Sequence, residues 1–180
     1  MRMLATLFVF SFGALTCAVA APVAPVSPYS GQQSRPIKAL SAEDIEGYLT
    51  GKGMGFAKAA ELNGYQGPAH VLELADELGL TPEQRRGTEA IRAAMNSRAI
   101  ALGYALIDAE GALDRAFADR TITEASLATA LEKIAAIQAK LRGVHLEAHL
   151  AQHRLLSPAQ RARYAELRGY ASAAVHSGHH

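Results

Sequence analysis

Hydrophobic side chains recur at helical spacing along two long stretches in the middle of the chain. In the first stretch, about 82–117, they recur every four or seven residues, at Ile91, Met95, Leu102, Leu106, Leu113 and Phe117. In the second, about 124–154, they recur every three or four residues, at Ala130, Ile134, Ile137, Leu141, Val144, Ala148, Ala151 and Leu155. A single apolar stripe at this spacing is typical of a helix that packs one face against a partner. The pattern predicts two long helices that pack as an antiparallel hairpin around a turn at 119–123.

Shorter helices are expected on both sides of this pair. Ser41 is a good cap for the first, which should run to about Leu49, and two more are expected at about 56–62 and 68–78. The last helix should begin at Pro158. Aromatic residues make up only 6% of the chain, and Ala, Leu, Glu and Arg dominate its middle, which favours helices over strands. We therefore expect an all-α fold, a long helical hairpin with short flanking helices.

Two short segments, 80–85 and 156–161, repeat nearly the same residue types. In each, a Thr or Ser can cap a helix, a Pro fits the first helical position because its missing N–H is not needed there, and a Gln can bond back to the cap. The residues are Leu80, Thr81, Pro82 and Gln84 in the first copy and Leu156, Ser157, Pro158 and Gln160 in the second. Because Arg85 and Arg161 stand where the leucines would find a local apolar partner, each Leu is expected to pack against more distant residues.

Leu131, Leu146 and Leu150 lie well off the main stripe of the second long helix. A helix with apolar groups on two sides needs a second partner surface. Two interpretations stay open. Either these leucines contact another molecule, in a dimer or as a client, or they are buried against the short helices.

The first twenty residues have the pattern of a secretory signal peptide. Arg2 precedes an apolar run from Leu4 to Val19, and an Ala-Val-Ala sequence ends at Ala20. We expect cleavage there and a periplasmic mature protein; lipidation of Cys17 is a weaker alternative, because the residues before it fit the lipidation pattern poorly. Residues 21–40 are predicted to form a flexible Pro-rich arm, 41–174 the helical domain and 175–180 a His-rich tail.

Cleavage would leave a chain without cysteine and with 17 basic and 17 acidic residues, since Arg2 is the only charged residue of the signal peptide. Such a chain cannot use thiolates as nucleophiles or as metal ligands. Its balanced charge also argues against nucleic acid as a partner.

His145, His149 and His153, here called the histidine ladder, recur every four residues on the second long helix. Two neighbours could bind one metal ion, but the first and third are about 12 Å apart along the helix axis, too far to share an ion. No cofactor is required by the sequence, but zinc, nickel or copper could bind here with further ligands from His70, the tail, a carboxylate or a second chain. The alternative is that His145 packs in the core and the other two are solvated.

No pattern for catalysis is visible. Glu147 lies two residues after His145, whereas in the zinc-protease helix H-E-x-x-H the Glu directly follows the first His. Neither a Gly-x-Ser-x-Gly elbow nor a phosphate-binding loop occurs. We therefore expect that the protein is not an enzyme.

Basic and apolar side chains are interspersed at the start of the first long helix, among them Arg85, Arg92 and Met95. Such a mixed surface suits the binding of unfolded, often acidic segments. Together with the three off-stripe leucines, these residues form the candidate client-binding set. The alternative is a solvated face with local ion pairs.

The two capped repeats, the signal peptide and the Cys-free helical chain resemble the Spy/CpxP family of periplasmic stress proteins, whose repeat is Leu-Thr-x-x-Gln. Segment 80–84 matches that repeat fully, and Ser157 replaces the Thr in the second copy. The resemblance covers about residues 41–170. It implies a cradle-shaped antiparallel dimer that binds unfolded proteins without ATP, with a membrane sensor kinase or an anti-sigma protein as a signalling partner.

Relatives in this family include ZraP-like zinc-binding proteins and CnrX-like heavy-metal sensors, which implies heavy-metal resistance or sensing as an alternative function. The sensors carry a His-x-x-x-His pair before the first repeat, whereas that region here offers only His70. The leading hypothesis is a non-enzymatic periplasmic chaperone. The alternative is a metal-binding protein that uses the histidine ladder.

Overall fold

The computed structural model describes residues 25–171 of the chain. The chain divides into two units, Met1–Gly31 and Gln32–His180. In the described part of the first unit the chain makes a turn, in which the Ser30 amide donates to the Ser27 carbonyl oxygen over 3.0 Å. The helices of residues 25–171 all lie in the second unit.

The second unit contains one short 3-10 helix and, among its described residues, six α-helices. They are the 3-10 helix Gln32–Ser34, α1 (Ala42–Leu49), α2 (Lys58–Glu61), α3 (Pro68–Glu73), α4 (Pro82–Ala118), α5 (Glu124–Leu155) and α6 (Pro158–Leu167). Residues 25–171 contain no strand, so the predicted all-α class is confirmed. The two long helices end within one residue of their predicted bounds, whereas α2 and α3 are shorter than expected.

The early end of α3 has a local cause. After Glu73 the chain makes successive turns, and Gly79 adopts a positive φ of 58°, a conformation that glycine adopts without steric cost. The Leu80 amide then donates to the Ala75 carbonyl oxygen over 3.0 Å. These turns bring Leu78 and Leu80 back against α6 instead of extending the helix.

α4 and α5 pack along each other, with the start of α4 beside the end of α5. Arg98 and Glu147 form a salt bridge of 2.8 Å, and the Gln84 side chain donates to the Leu155 carbonyl oxygen over 3.0 Å. The buried side chains between the two helices form the first core: Ala99, Leu106, Ala109, Ile134, Leu141 and Val144. Most of these positions belong to the predicted stripes, although Phe117 at the end of α4 is exposed.

α1 covers α4 at a point where only glycine fits. A Cβ atom at Gly103 would lie 2.3 Å from the Tyr48 carbonyl oxygen, far inside van der Waals contact. The ring of Tyr48 in turn packs against the first core. The missing side chain therefore lets the end of α1 sit directly on α4.

The C-terminal end of the predicted arm, residues 21–40, is folded against α4. The Lys38 amide donates to the Asp114 carboxylate over 3.0 Å, and the Lys38 ammonium lies 3.3 Å from the same group. Leu40 is buried. The Pro-rich composition did not reveal these contacts, because they depend on a carboxylate 76 residues away. The predicted signal peptide, with Cys17, and the His-rich tail lie outside the described residues.

A second core forms where α3, α6 and the segments before α4 and α6 meet. Its buried members are Val71, Leu78, Leu156 and Tyr164, and Leu74, Leu80, Leu167 and Tyr170 pack against them. The leucines that open the two repeats, Leu80 and Leu156, thus pack against residues distant in sequence. That expectation is confirmed.

The two capped segments also contact each other through their glutamines. Gln84 Nε2 donates to Gln160 Oε1 over 2.8 Å, and Gln160 Nε2 donates to Gln84 Oε1 over 2.9 Å. Each side-chain oxygen also accepts the backbone N–H of its own cap residue, at Thr81 over 3.1 Å and at Ser157 over 2.9 Å. This reciprocal pair, here called the glutamine brace, joins the start of α4 to the start of α6.

A buried polar chain continues from the brace into the interface of α4 and α5. Gln152 Nε2 donates to Thr88 Oγ1 over 3.1 Å, and the Thr88 hydroxyl donates to the Gln84 carbonyl oxygen over 2.8 Å. Both side chains are fully buried. Because a buried amide without partners is costly, this pairing favours one register of α5 against α4.

We expect that Gln84→Ala lowers the free energy of unfolding by about 1–3 kcal/mol, because the half-buried Gln160 amide loses both bonds to Gln84 and its Nε2 keeps only the longer ones to the Leu78 and Gly79 carbonyl oxygens, over 3.3 and 3.4 Å. Gln160→Ala should cost a similar amount. The double variant should cost less than the sum of the two, since both single changes remove the same bonds. Urea unfolding followed by circular dichroism measures this coupling. Gln138→Ala, on an exposed part of α5, is the control and should change stability by less than about 0.5 kcal/mol; strictly additive losses would contradict the brace.

Candidate functional site

His153, the last member of the histidine ladder, is hydrogen-bonded to protein groups through both ring nitrogens. Arg161 Nη1 donates to His153 Nε2 over 2.5 Å, and the proton of the neutral ring is then on Nδ1, which donates to Gln66 Oε1 over 3.2 Å. The Tyr65 ring lies 4.5 Å from the imidazole, centroid to centroid. Neither ring nitrogen of His153 has a free lone pair for a metal ion in this arrangement.

His149, the middle member of the histidine ladder, bonds to the segment between α2 and α3. His149 Nδ1 donates to the Tyr65 carbonyl oxygen over 2.8 Å, and the side chain is only 8% exposed. A Cβ atom at Gly67 would lie 3.0 Å from the same ring, so the backbone of this segment packs directly on the imidazole. His149 is therefore buried, in contrast to the solvated position that was one sequence expectation.

His145, the first member of the histidine ladder, lies in the protein interior without a polar partner among the described residues. His145 is 2% exposed, its ring stacks on Phe56 at 5.6 Å, and its Nε2 is buried with no hydrogen-bond partner among the described residues. Burial, with a smaller contribution from the charge of His149, lowers the pKa of His145. The neutral imidazole is therefore the favoured form.

Glu61 connects α2 to α6 and was not singled out from the sequence. Its Oε1 accepts the hydroxyl of Tyr164 over 2.6 Å and that of Tyr170 over 3.2 Å, and its Oε2 accepts the Gly67 amide over 3.1 Å. Burial and the bond to Glu61 raise the pKa of Tyr164, so this hydroxyl stays protonated and donates. No local motif marks Glu61, because the two tyrosines that it joins to α2 are more than a hundred residues away along the chain.

Three of the four predicted metal-binding histidines line one cavity of about 330 Å³. The cavity lies between α4, α5, the segment after α1 and the start of α3, and His70, His145 and His149 all contribute to its wall. His70 is half-exposed and bonded to Glu73 over 2.9 Å. Within residues 25–171, no three His, Cys, Asp or Glu side chains are arranged to hold a metal ion. Binding of zinc, nickel or copper stays a prediction.

The side of α5 that faces away from α4 carries an apolar stripe. At about 100° per residue, Leu150 lies about 180° from Leu141, which faces α4. Leu131 is 50% exposed and Leu150 is 45% exposed. The members of this outer stripe, spaced three or four residues apart, are Leu131, Ala135, Ala139, Arg142, Leu146 and Leu150.

A hollow of about 590 Å³ borders the outer stripe. One side is formed by Tyr48, Met54 and Phe56, and the other by small and polar residues of α5 that include Ala135, Ala139 and Arg142. Met54 and Leu131 are exposed in the described chain. Aromatic and thioether groups therefore line the hollow next to α5.

The client-binding residues predicted on α4 do not share this surface. Arg85 pairs with Asp76 at 2.8 Å, and Met95 packs against the first core. Arg92 is exposed and lines the histidine cavity. The three leucines thus lie along the outer side of α5, with Leu146 partly buried and the other two exposed, whereas the three α4 residues lie in other surroundings.

No family model matches the chain, and no match was found among curated proteins or solved structures. The resemblance to the Spy/CpxP family therefore stays a prediction from the sequence. None of the described helices combines the length and apolarity that a membrane crossing requires.

We expect stability to fall as the pH drops below about 6.5, the ordinary pKa of an imidazole. The lowered pKa of His145 in the folded chain means that the unfolded chain takes up this proton first. The stabilisation is therefore complete at a pH above the pKa of His145 in the unfolded chain. It is lost as the pH falls towards the pKa of His145 in the folded chain, at up to about 1.4 kcal/mol per pH unit.

Urea unfolding at pH 7.5 and 5.5 measures this loss. His145→Leu, which cannot titrate, should show a smaller loss between the two pH values than the wild type. Gln138→Leu, which adds an apolar side chain at an exposed position of the same helix, should show the same loss as the wild type. Equal losses for the wild type and His145→Leu would contradict the assignment to His145.

Proposed function

We propose that this chain is a periplasmic, non-enzymatic stress protein that binds unfolded proteins without ATP. The observation that carries the proposal is the outer stripe of α5, on which Leu131 and Leu150 are exposed, together with the hollow beside it. Surfaces of this kind on a soluble protein commonly mark a binding site.

The chemistry of this surface suits weak binding to many different sequences. Burying a leucine side chain completely contributes about 1.5–3 kcal/mol, so covering the exposed half of Leu131 and Leu150 contributes about 1 kcal/mol each. Met54 adapts its shape to different partners because its side chain is unbranched. Arg142 can bond to carboxylates or backbone carbonyls of a bound segment.

The opposite side of α5 holds the surface in place. The first core packs against α4, and His149 and His153 bond to the segment between α2 and α3. A rigid helix with one face already buried loses little conformational entropy when a client binds to the other face.

We further propose that α4 and α5 form the antiparallel hairpin of a Spy/CpxP-like cradle, and that two chains pair as a dimer. The support is the packing of early α4 beside late α5, together with the two capped repeats at the starts of α4 and α6. A dimer would present two outer stripes and would bind an extended client more tightly than one stripe alone.

We expect the mature protein to suppress aggregation of an unfolded client at a stoichiometric ratio, as measured by light scattering. A triple variant with Leu131→Ser, Leu146→Ser and Leu150→Ser should need several-fold more protein for the same suppression, chiefly because the transfer free energy of the exposed halves of Leu131 and Leu150 is lost.

Leu62→Ser is the matched control, since Leu62 is 66% exposed but directly follows α2, outside the outer stripe. It should suppress aggregation like the wild type, and circular dichroism should show all variants to be folded. An absence of suppression by the wild type would end the chaperone proposal. Equal activity of the triple variant would show that the stripe is not the binding surface.

A further inference from the structure

The cavity that contains the histidines has an unusual arrangement of polar side chains. Arg92 and Asn96 lie one turn apart on α4, and His145 and His149 lie one turn apart on α5. Residues four apart in a helix project from the same face, so the two pairs contribute to one wall each. The backbone around Gly51 and Gly67 covers the space between them.

The charges around this cavity favour a negative ligand. Its lining includes Arg92 and Lys52 but no carboxylate. Lys52 is paired with Glu46 at 2.7 Å on the surface, whereas Arg92 forms no salt bridge within residues 25–171. A guanidinium group keeps its charge at every physiological pH, so the cavity wall carries one positive charge without a counter-charge.

The nearest carboxylate does not supply that counter-charge. Glu61 borders a smaller adjoining hollow of about 230 Å³ that shares His70 and His149 with the cavity. Its two oxygens already accept bonds from Tyr164, Tyr170 and the Gly67 amide. Its Oε2 also lies 3.7 Å from His149 Nδ1, but among the described residues Glu61 forms no ion pair with Arg92.

The buried imidazole is a second, independent indication of a ligand. His145 lines the cavity, is almost fully buried and has an Nε2 atom without a partner in the described chain. Buried polar atoms are nearly always hydrogen-bonded, and an exception in a cavity wall is commonly explained by a bound group.

We propose that this cavity binds a small oxygen-bearing anion, either a carboxylate or an inorganic oxyanion, with Arg92 as its counter-charge. Arginine binds both classes through paired N–H donors, and the Asn96 amide and the Nε2–H tautomer of His145 can donate further hydrogen bonds from the cavity wall. A volume of about 330 Å³ is at the small end of ligand sites. A divalent cation would instead meet the charge of Arg92 and no carboxylate. This site is independent of client binding on the outer stripe.

Thermal unfolding and isothermal titration of the mature protein test the proposal. Acetate and succinate form the carboxylate arm, phosphate and sulfate form the oxyanion arm, and all are compared at equal ionic strength against chloride. We expect at least one arm to raise Tm saturably and to give a measurable Kd. The arm that does so identifies the class of anion.

Variants of α4 identify the site. Arg92→Gln should weaken the binding at least tenfold, and Arg92→Lys should lie between it and the wild type, because lysine keeps the charge but not the paired donors. Arg154→Gln is the matched control, since Arg154 is an exposed arginine of α5 outside the cavity. It should bind like the wild type.

Three results would overturn the proposal. One is that no anion binds saturably, and another is that Arg92→Gln binds as tightly as the wild type. The third is that zinc, nickel or copper chloride binds more tightly than every anion and loses this binding in a His145→Ala plus His149→Ala variant, which would assign the cavity to a metal. The aggregation assay is unaffected by any of these results, so failure here leaves the proposed function standing.

Discussion

The reciprocal amide pair of Gln84 and Gln160 is the contact on which the arrangement of the helices depends. A glutamine side chain has one oxygen with two lone pairs and one nitrogen with two protons, so each can serve its own helix cap and the other amide at once. No shorter side chain reaches both, and a carboxylate cannot donate. The pair therefore ties together two helix starts that are 76 residues apart and brings Leu80 and Leu156 into one core.

Once the helix starts are joined, the two sides of α5 acquire different surroundings. One side is covered, because His149 and His153 bond to the segment between α2 and α3 and Glu61 ties that segment to α6. The other side receives no such element among the described residues, and Leu131 and Leu150 remain exposed on it. The asymmetry of α5 is thus a consequence of where polar contacts form, and it supplies the surface proposed for client binding.

The histidine ladder shows how one sequence pattern can contain three different environments. Residues four apart project from nearly the same side of a helix, which is why the spacing suggested a metal site. Successive members of the ladder are displaced slightly around the axis of α5, and this displacement is enough to give them different neighbours. His153 reaches Arg161 and Gln66, His149 reaches the backbone at Tyr65, and His145 faces Phe56. Arg92, which comes from another helix, then changes the charge of the cavity that two of them line.

The sequence by itself determined the features that depend on neighbouring residues: the all-α class, the capped helix starts at Ser41, Thr81 and Ser157, and the core faces of α4 and α5. Caps and apolar stripes involve residues at most seven positions apart, so their physics is visible in the chain. Only the tertiary structure decided the glutamine brace, the role of Glu61 and the meeting of Arg92 with His145 and His149. These contacts join residues 50 or more positions apart, and no local pattern specifies which distant partner a polar side chain will reach.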